Sequence, residues 1–381
     1  MQNVTALPQK LIAKKGFNLN MIIGLDGFVD EIIHLVDKRK DFESFSRIAT
    51  IAAFGERMLG AAGLSTNVEM VTVQTKLGGN GPILSNALLE YGVGLTYVGA
   101  LGRDAIHPVF QDMAAKAKAV YSLGDPGHTD ACEFEDGKIM LGKLTPLNEL
   151  TWDNFKTKLG GVNSIAALIS NTQLFGMENW TMIPYMSDIW EGIIKEVFPL
   201  LPAPLNSEEK PLAFFDLADP EKRTKEDISR AMGLISKFES KFHTVLGLNE
   251  KEVYEIANVL GISFDPAISD ADKLQAAVEK TQSKLGIYCL VVHPVRSACC
   301  AVGGKYYYVD GPYCPKPKLT TGAGDNFNAG FCLGLALGLD ALDSLTLGVC
   351  TSGFYVRNAQ SPTFDQVITF AQNWSKGNID N

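Results

Sequence analysis

Leu319-Thr-Thr-Gly-Ala-Gly-Asp-Asn-Phe-Asn-Ala-Gly330 is the stretch on which the reading of this chain turns. A flexible Thr-Thr-Gly-Ala-Gly turn runs directly into an apolar, helix-length segment. Several backbone N–H groups and the positive end of the helix dipole therefore converge on one point, and that point suits an anion. Asp325 stands at the helix start, where it either caps orphan amides or serves as a base. A carboxylate beside an anion hole is what phosphoryl transfer to a hydroxyl requires: one group takes the proton and the others stabilise charge on the phosphoryl oxygens.

Outward from this turn, short apolar runs alternate with amphipathic segments. MIIGL from Met21, LTYVGAL from Leu95, IAALIS from Ile165, PLAFFDL from Pro211, TVLGL from Thr244 and YCLVV from Tyr288 read as buried strands. Helices are expected at 81–91, 108–119, 188–198, 226–238, 250–260 and 270–284. This alternation predicts an α/β fold whose mostly parallel sheet is covered on both faces, with ligands at the carboxyl ends of its strands. Two stretches break the pattern. Residues 128–144, HTDACEFEDGKIMLGKL, alternate apolar and polar around Asp136-Gly137, a hairpin signal. Residues 31–77 separate the first strand from a glycine cluster and are read with a helix near 42–59 and a strand near 71–75. Both stretches are either lid pieces over the sheet edge or plain surface insertions. The proline-rich segment 201–211 reads as a polar loop and not a domain boundary.

The 381 residues are 46% hydrophobic and 20% charged, enough to bury a sizeable core. Lys and Arg number 34 against 43 Asp and Glu, a net charge of −9, which argues against nonspecific nucleic-acid or anionic-membrane binding. The seven cysteines are odd in number and show no metal-ligand spacing, so reduced thiols and a cytoplasmic location are expected. The N-terminus has no signal-peptide h-region, and the longest apolar run is far short of the ~20 residues needed to span a bilayer. Gly137-Lys-Ile-Met-Leu-Gly-Lys143-Leu144 nearly spells a P-loop, but leucine cannot offer Mg²⁺ a hydroxyl, and the segment lies on a hairpin. The five histidines form no metal-ligand spacing, and His293 is the one candidate near a nucleotide.

TTGAGDNFNAGF resembles the C-terminal signature of the PfkB/ribokinase-like carbohydrate kinases, and other segments match the family in order. Gly78-Gly79-Asn80-Gly81, a helix ending at Tyr91-Gly92 and then LTYVGALGRD are similar to its N-terminal signature. Asp30 in GLDGFVDEI resembles its substrate-binding aspartate; Asp26 could make the same hydrogen bonds, and family spacing alone favours Asp30. Asn249-Glu250-Lys251-Glu252 resembles the NxxE motif, and Val356–Pro362 the segment near the nucleotide base. The chain departs from the family at Ile83, where asparagine is usual, at Leu319, and in His293–Ser297, which replaces a glycine-containing loop.

The resemblance implies a single ribokinase-like domain over 1–381, a three-layer αβα sandwich with a small β lid from about 31–77 and 128–144. It implies an ATP-dependent phosphotransferase acting on a hydroxyl of a small sugar. Asp325 would be the general base, with the amides of Gly322, Ala323 and Gly324 as the anion hole. Asp30, Gly78, Gly79 and Asn80 would hold the acceptor. Asn249, Glu252, Thr321 and Asn358 would serve the nucleotide, and Asn249 and Glu252 would position Mg²⁺ through water. A nucleoside kinase of the same superfamily and a non-catalytic ligand-binding relative are the alternatives. A monovalent cation at the anion hole and a homodimer formed through the lid are left open.

Overall fold

The computed structural model describes residues 2–202, 210–265 and 267–379, so most of the proline-rich loop expected at 201–211 lies outside the described residues. Among the described residues fourteen strands follow one another: β1 (Asn20–Leu25), β2 (Phe28–Arg39), β3 (Phe45–Arg47), β4 (Met70–Gly78), β5 (Gly94–Gly99), β6 (Ala119–Ser122), β7 (Gly127–Glu133), β8 (Lys138–Lys143), β9 (Leu174–Met177), β10 (Leu212–Asp216), β11 (His243–Leu248), β12 (Cys289–Val292), β13 (Ser297–Val302) and β14 (Lys305–Asp310). Nine of them form one sheet in the order β14-β13-β12-β11-β10-β9-β1-β5-β6. Its pairs are parallel from β6 across to β12, and β13 and β14 close the far edge as an antiparallel hairpin.

Strand residues alternate between two cores, which is why these runs are apolar on both faces. In β10, Ala213 and Phe215 pack on one side with the helices carrying Ile165, Ile228, Val253 and Leu274. Leu212 and Phe214 pack on the other with those carrying Leu7, Leu84, Phe327 and Leu345. Each strand thus contributes to both layers, giving the expected ribokinase-like three-layer sandwich.

The second sheet runs β3-β2-β7-β8, with β4 also paired to β2. The hairpin expected around Asp136-Gly137 is the turn between β7 and β8. A small core of Ile33, Leu35, Ile48, Cys132 and Phe134, covered by the Ile51–Gly60 helix, backs this sheet.

Several expected elements are corrected. IAALIS is helical, part of Val162–Ser170, because its apolar residues Ile165, Ala166 and Ile169 fall at helical spacing and bury one face. The true strand is the next run, Leu174–Met177, only four residues long. The helix expected near 42–59 begins at Ile51, capped by Thr50 Oγ1 accepting from Ala53 N, while Phe42 is exposed and Phe45–Arg47 is a strand. The helix expected at 108–119 ends at Lys116, and Ala119 opens β6.

Candidate active site

Parallel strands deliver their C-terminal residues to one edge of the sheet. Asp26 follows β1, Glu178 follows β9, Asp216 ends β10, Asn249 follows β11 and His293 follows β12. The helix Ala323–Ala336 aims its N-terminus at this same edge, with Gly322 at its N-cap in a left-handed conformation (φ 90°) that glycine adopts without strain.

Two clefts meet at that turn. One, of about 550 Å³, is lined by Asp30, Gly79 and Asn80, by Thr129, Met140 and Gly142 of the lid, and by Gly322 and Asp325. The other, of about 360 Å³, is lined by Ala323, Gly324, Asn249, His293, Tyr313 and Val356. Consecutive residues of the Gly-Ala-Gly-Asp turn therefore serve opposite sides of a shared wall. A larger hollow of about 760 Å³ opens between Leu212, His243 and Tyr288 at the N-terminal ends of the strands and holds none of the motif residues.

In the lid-covered cleft, Asn80 Nδ2 donates to Asp325 Oδ1 at 3.1 Å. Burial, then Asp216 and Asp26, push the Asp325 pKa well above the ordinary carboxylate value, against the Asn80 hydrogen bond. Asp325 is thereby a stronger base than an exposed aspartate. Gly78 lies against Asp30: a Cβ there would sit 2.3 Å from the carboxylate carbon, so only glycine lets Asp30 stand in place. Burial raises the Asp30 pKa as well, opposed by Thr129 and Lys76. Asp26 has a different job. Its carboxylate accepts from Asn80 N (3.0 Å), Gly81 N (2.9 Å) and Asn179 Nδ2 (2.7 Å), holding the start of the Asn80–Glu90 helix. With those contacts made, Asp30 is the aspartate that faces the cleft.

A family model described as prokaryotic ketohexokinase matches residues 4–374. The chain belongs to the prokaryotic ketohexokinase family. A ketohexokinase from Haloferax volcanii is 28% identical over 356 residues, covering 93% of this chain and 91% of that protein. Among solved structures, a variant of phosphofructokinase-2 from Escherichia coli aligns with a TM-score of 0.64 at 13% identity, covering 94% of this chain and 99% of the other. An E. coli ribokinase II in complex with ATP and Mg²⁺ aligns with a TM-score of 0.60 at 14% identity, covering 94% and 100%. These structures share the fold, and the family makes the chain a carbohydrate kinase.

Within this ketohexokinase-family site, the expected residues are not all brought together. Asp30, Gly79, Asn80, Gly322 and Asp325 share one cleft, and Asn249, Ala323 and Gly324 share the other. Thr321 stands on the lid side, with Thr320 on the Asn249 side. Asn358 is not brought to either: it is exposed, and its Nδ2 donates to Phe354 O within its own helix. Asn249 and Glu252 form a reciprocal capping box, with Asn249 Oδ1 accepting from Glu252 N at 3.0 Å and Glu252 Oε2 accepting from Asn249 N at 2.8 Å. Asp219 N occupies the other Glu252 oxygen at 2.9 Å.

Sequence reasoning missed two buried acids. Asp216 accepts from Asn328 Nδ2 (3.0 Å) and Ala218 N (2.9 Å); burial, then Glu252, push its pKa up to about 8. Glu178 is fully buried, neither of its carboxylate oxygens has a hydrogen-bond partner among the described residues, and burial followed by Asp216, Asp325 and Asp26 raises its pKa well above the ordinary value. Asp216 was legible as the last residue of PLAFFD, since acids at strand ends face the site. Glu178 was hidden because the four-residue β9 had not been read as a strand. His293 does line the second cleft, where burial pushes its pKa down to about 4, so the imidazole is neutral at physiological pH. Its Cε1 lies 3.0 Å from where a Cβ on Gly324 would be.

Proposed function

We propose that this carbohydrate kinase transfers the terminal phosphoryl group of ATP to a hydroxyl of a small sugar, with a ketohexose as the leading acceptor. The observation that supports this most directly is the wall between the clefts, with Asp325 and Gly322 toward the lid and Ala323 and Gly324 toward Asn249 and His293. A polyol held under the lid by Asp30, Gly79 and Asn80 presents a hydroxyl to Asp325. The carboxylate takes its proton as the oxygen attacks. The turn amides receive the charge that develops on the phosphoryl oxygens, in a cleft that Met140 and Leu144 line from the lid side.

The second cleft supports nucleotide binding. Its outer part is apolar, with Val295, Pro312, Tyr313 and Val356, as a base requires, and its inner end reaches the turn amides. Asp216, Glu252 and Asn249 offer oxygens that suit Mg²⁺ held through water, and among the described residues the hydrogen bonds they accept come from backbone amides and Asn328. Mg²⁺ there would offset negative charge on the transferred phosphate.

An acceptor panel tests the reading: ketohexoses, aldohexoses, pentoses, sugar acids and nucleosides with ATP and Mg²⁺, followed by ADP release. Turnover with a ketohexose and not with nucleosides is expected. Turnover confined to nucleosides would overturn the sugar assignment, and no acceptor-dependent ADP from any of them would overturn the kinase assignment.

A further inference from the structure

Glu31, His128 and Asp130 stand together on the lid, outside both clefts. Strands β2 and β7 run parallel in register, pairing Val29 with His128, Asp30 with Thr129 and Glu31 with Asp130. Side chains alternate along a strand. Asp30 and Thr129 face the acceptor cleft, so Glu31, His128 and Asp130 face away from it. Further along that outer face Cys132 and Phe134 are covered by the Ile51–Gly60 helix, which leaves the trio at its open end.

His128 Nε2 lies 2.9 Å from Asp130 Oδ1 and 3.4 Å from Glu31 Oε2. One imidazole nitrogen carries at most one proton, yet here it faces carboxylate oxygens from two different strands. A cation among the three satisfies all of them. A tetrahedral ion with bonds of about 2.0–2.1 Å sets its ligand atoms roughly 3.4 Å apart, the His128–Glu31 separation, and the three ligand atoms all lie within 4.8 Å of one another. The other oxygen of Asp130 is held by Lys143 Nζ at 2.8 Å, which orients Oδ1 inward as an outer-shell partner would. Thr72 Oγ1 donates weakly to Glu31 Oε2 at 3.4 Å. The Asp130 side chain is 8% exposed and those of Glu31 and His128 are 29% and 28%, so the site is backed by protein and open to water on one side. Two carboxylates and one lysine surround the imidazole.

We propose that Glu31, His128 and Asp130 bind a late first-row divalent cation such as Zn²⁺ or Co²⁺, clipping β2 to β7 on the back of the strands whose inner residues face the acceptor. An imidazole nitrogen with two carboxylates favours such ions over Mg²⁺, which keeps to oxygen and water. The site is read by binding alone and does not depend on turnover.

Co²⁺ titration of the full chain under saturating Mg²⁺ tests it, since Mg²⁺ then occupies oxygen-only sites. One Co²⁺ per chain is expected, with a visible absorption band from nitrogen and oxygen ligation, displaced by Zn²⁺. His128→Asn and Glu31→Gln should each weaken binding about 10-fold or more, while melting in the presence of EDTA stays that of the parent chain. The parent should melt higher with Zn²⁺ than with EDTA. Absence of stoichiometric Co²⁺ and Zn²⁺ binding in the parent overturns the proposal, as does unchanged affinity in whichever of the two variants folds.

Discussion

Gly78 and Asp30 show how tightly single residues are set against one another. An added methyl at position 78 meets the Asp30 carboxylate at 2.3 Å, so Gly78→Ala must turn that carboxylate aside. Acceptor KM is expected to rise ~10-fold or more, the equivalent of about 1.4 kcal/mol, with ATP KM unchanged; steady-state kinetics with each substrate varied will show it. Asp216 makes a pH prediction. Its folded pKa of about 8 lies above the ordinary ~3.9, so as pH rises through this interval the unfolded state loses its proton first. The stability contribution is full below the ordinary pKa and is lost as pH climbs through the folded one. Asp216→Asn removes this loss, and its melting temperature relative to the parent should therefore increase from pH 5 to pH 8; a constant difference would contradict the assignment. The Gly-Ala-Gly-Asp turn was legible because its spacing along the chain is local, whereas family spacing alone separated Asp30 from Asp26. Asp216 was legible only as the acid that ends an apolar run, and Glu178, beyond a four-residue strand, is revealed by the packed sheet alone.

The start of the Glu250–Val259 helix was readable. Asn249 before an apolar-periodic run with Glu252 three residues later spells a capping box, and the structure contains it with both hydrogen bonds made. Asn249→Ala should cost about 1 kcal/mol of stability, measurable by denaturant unfolding, whatever its effect on the nucleotide. The Asp136-Gly137 hairpin was equally plain, since its turn residues and alternation point the same way. Short apolar runs were not. IAALIS and LFGM have similar composition, yet the first is a helix face and the second a central strand. Periodicity over four to six residues cannot separate the two, and tertiary position decides. The lid helix was placed too early because the Phe42 region is apolar but exposed, and the cap at Thr50 marks the true start.

At the scale of the whole molecule, motif order along the chain carried most of the architecture. Asp30, Gly78, Asn249 and Asp325 are far apart in sequence; the end of β11 brings Asn249 and a helix N-terminus brings Asp325 to one edge of the parallel sheet, and the lid sheet brings Asp30 and Gly78 over it. The sequence assigned Thr321 and Asn358 to the nucleotide, yet Thr321 lines the lid-side cleft and Asn358 lines neither, because that depends on side-chain direction at the end of each element. The net charge of −9 does not conflict with handling a nucleotide, since the proposed anion site is a turn of backbone amides and needs no surplus of lysine. The account rests on Asp325 as the base at the wall between the clefts, and one comparison tests it most directly: ketohexose-dependent ADP release by the parent chain and by Asp325→Asn, with ATP and Mg²⁺ saturating. The account predicts turnover in the parent and a loss of at least ~10²-fold in the variant, with ADP binding retained; near-parental turnover in Asp325→Asn would contradict it.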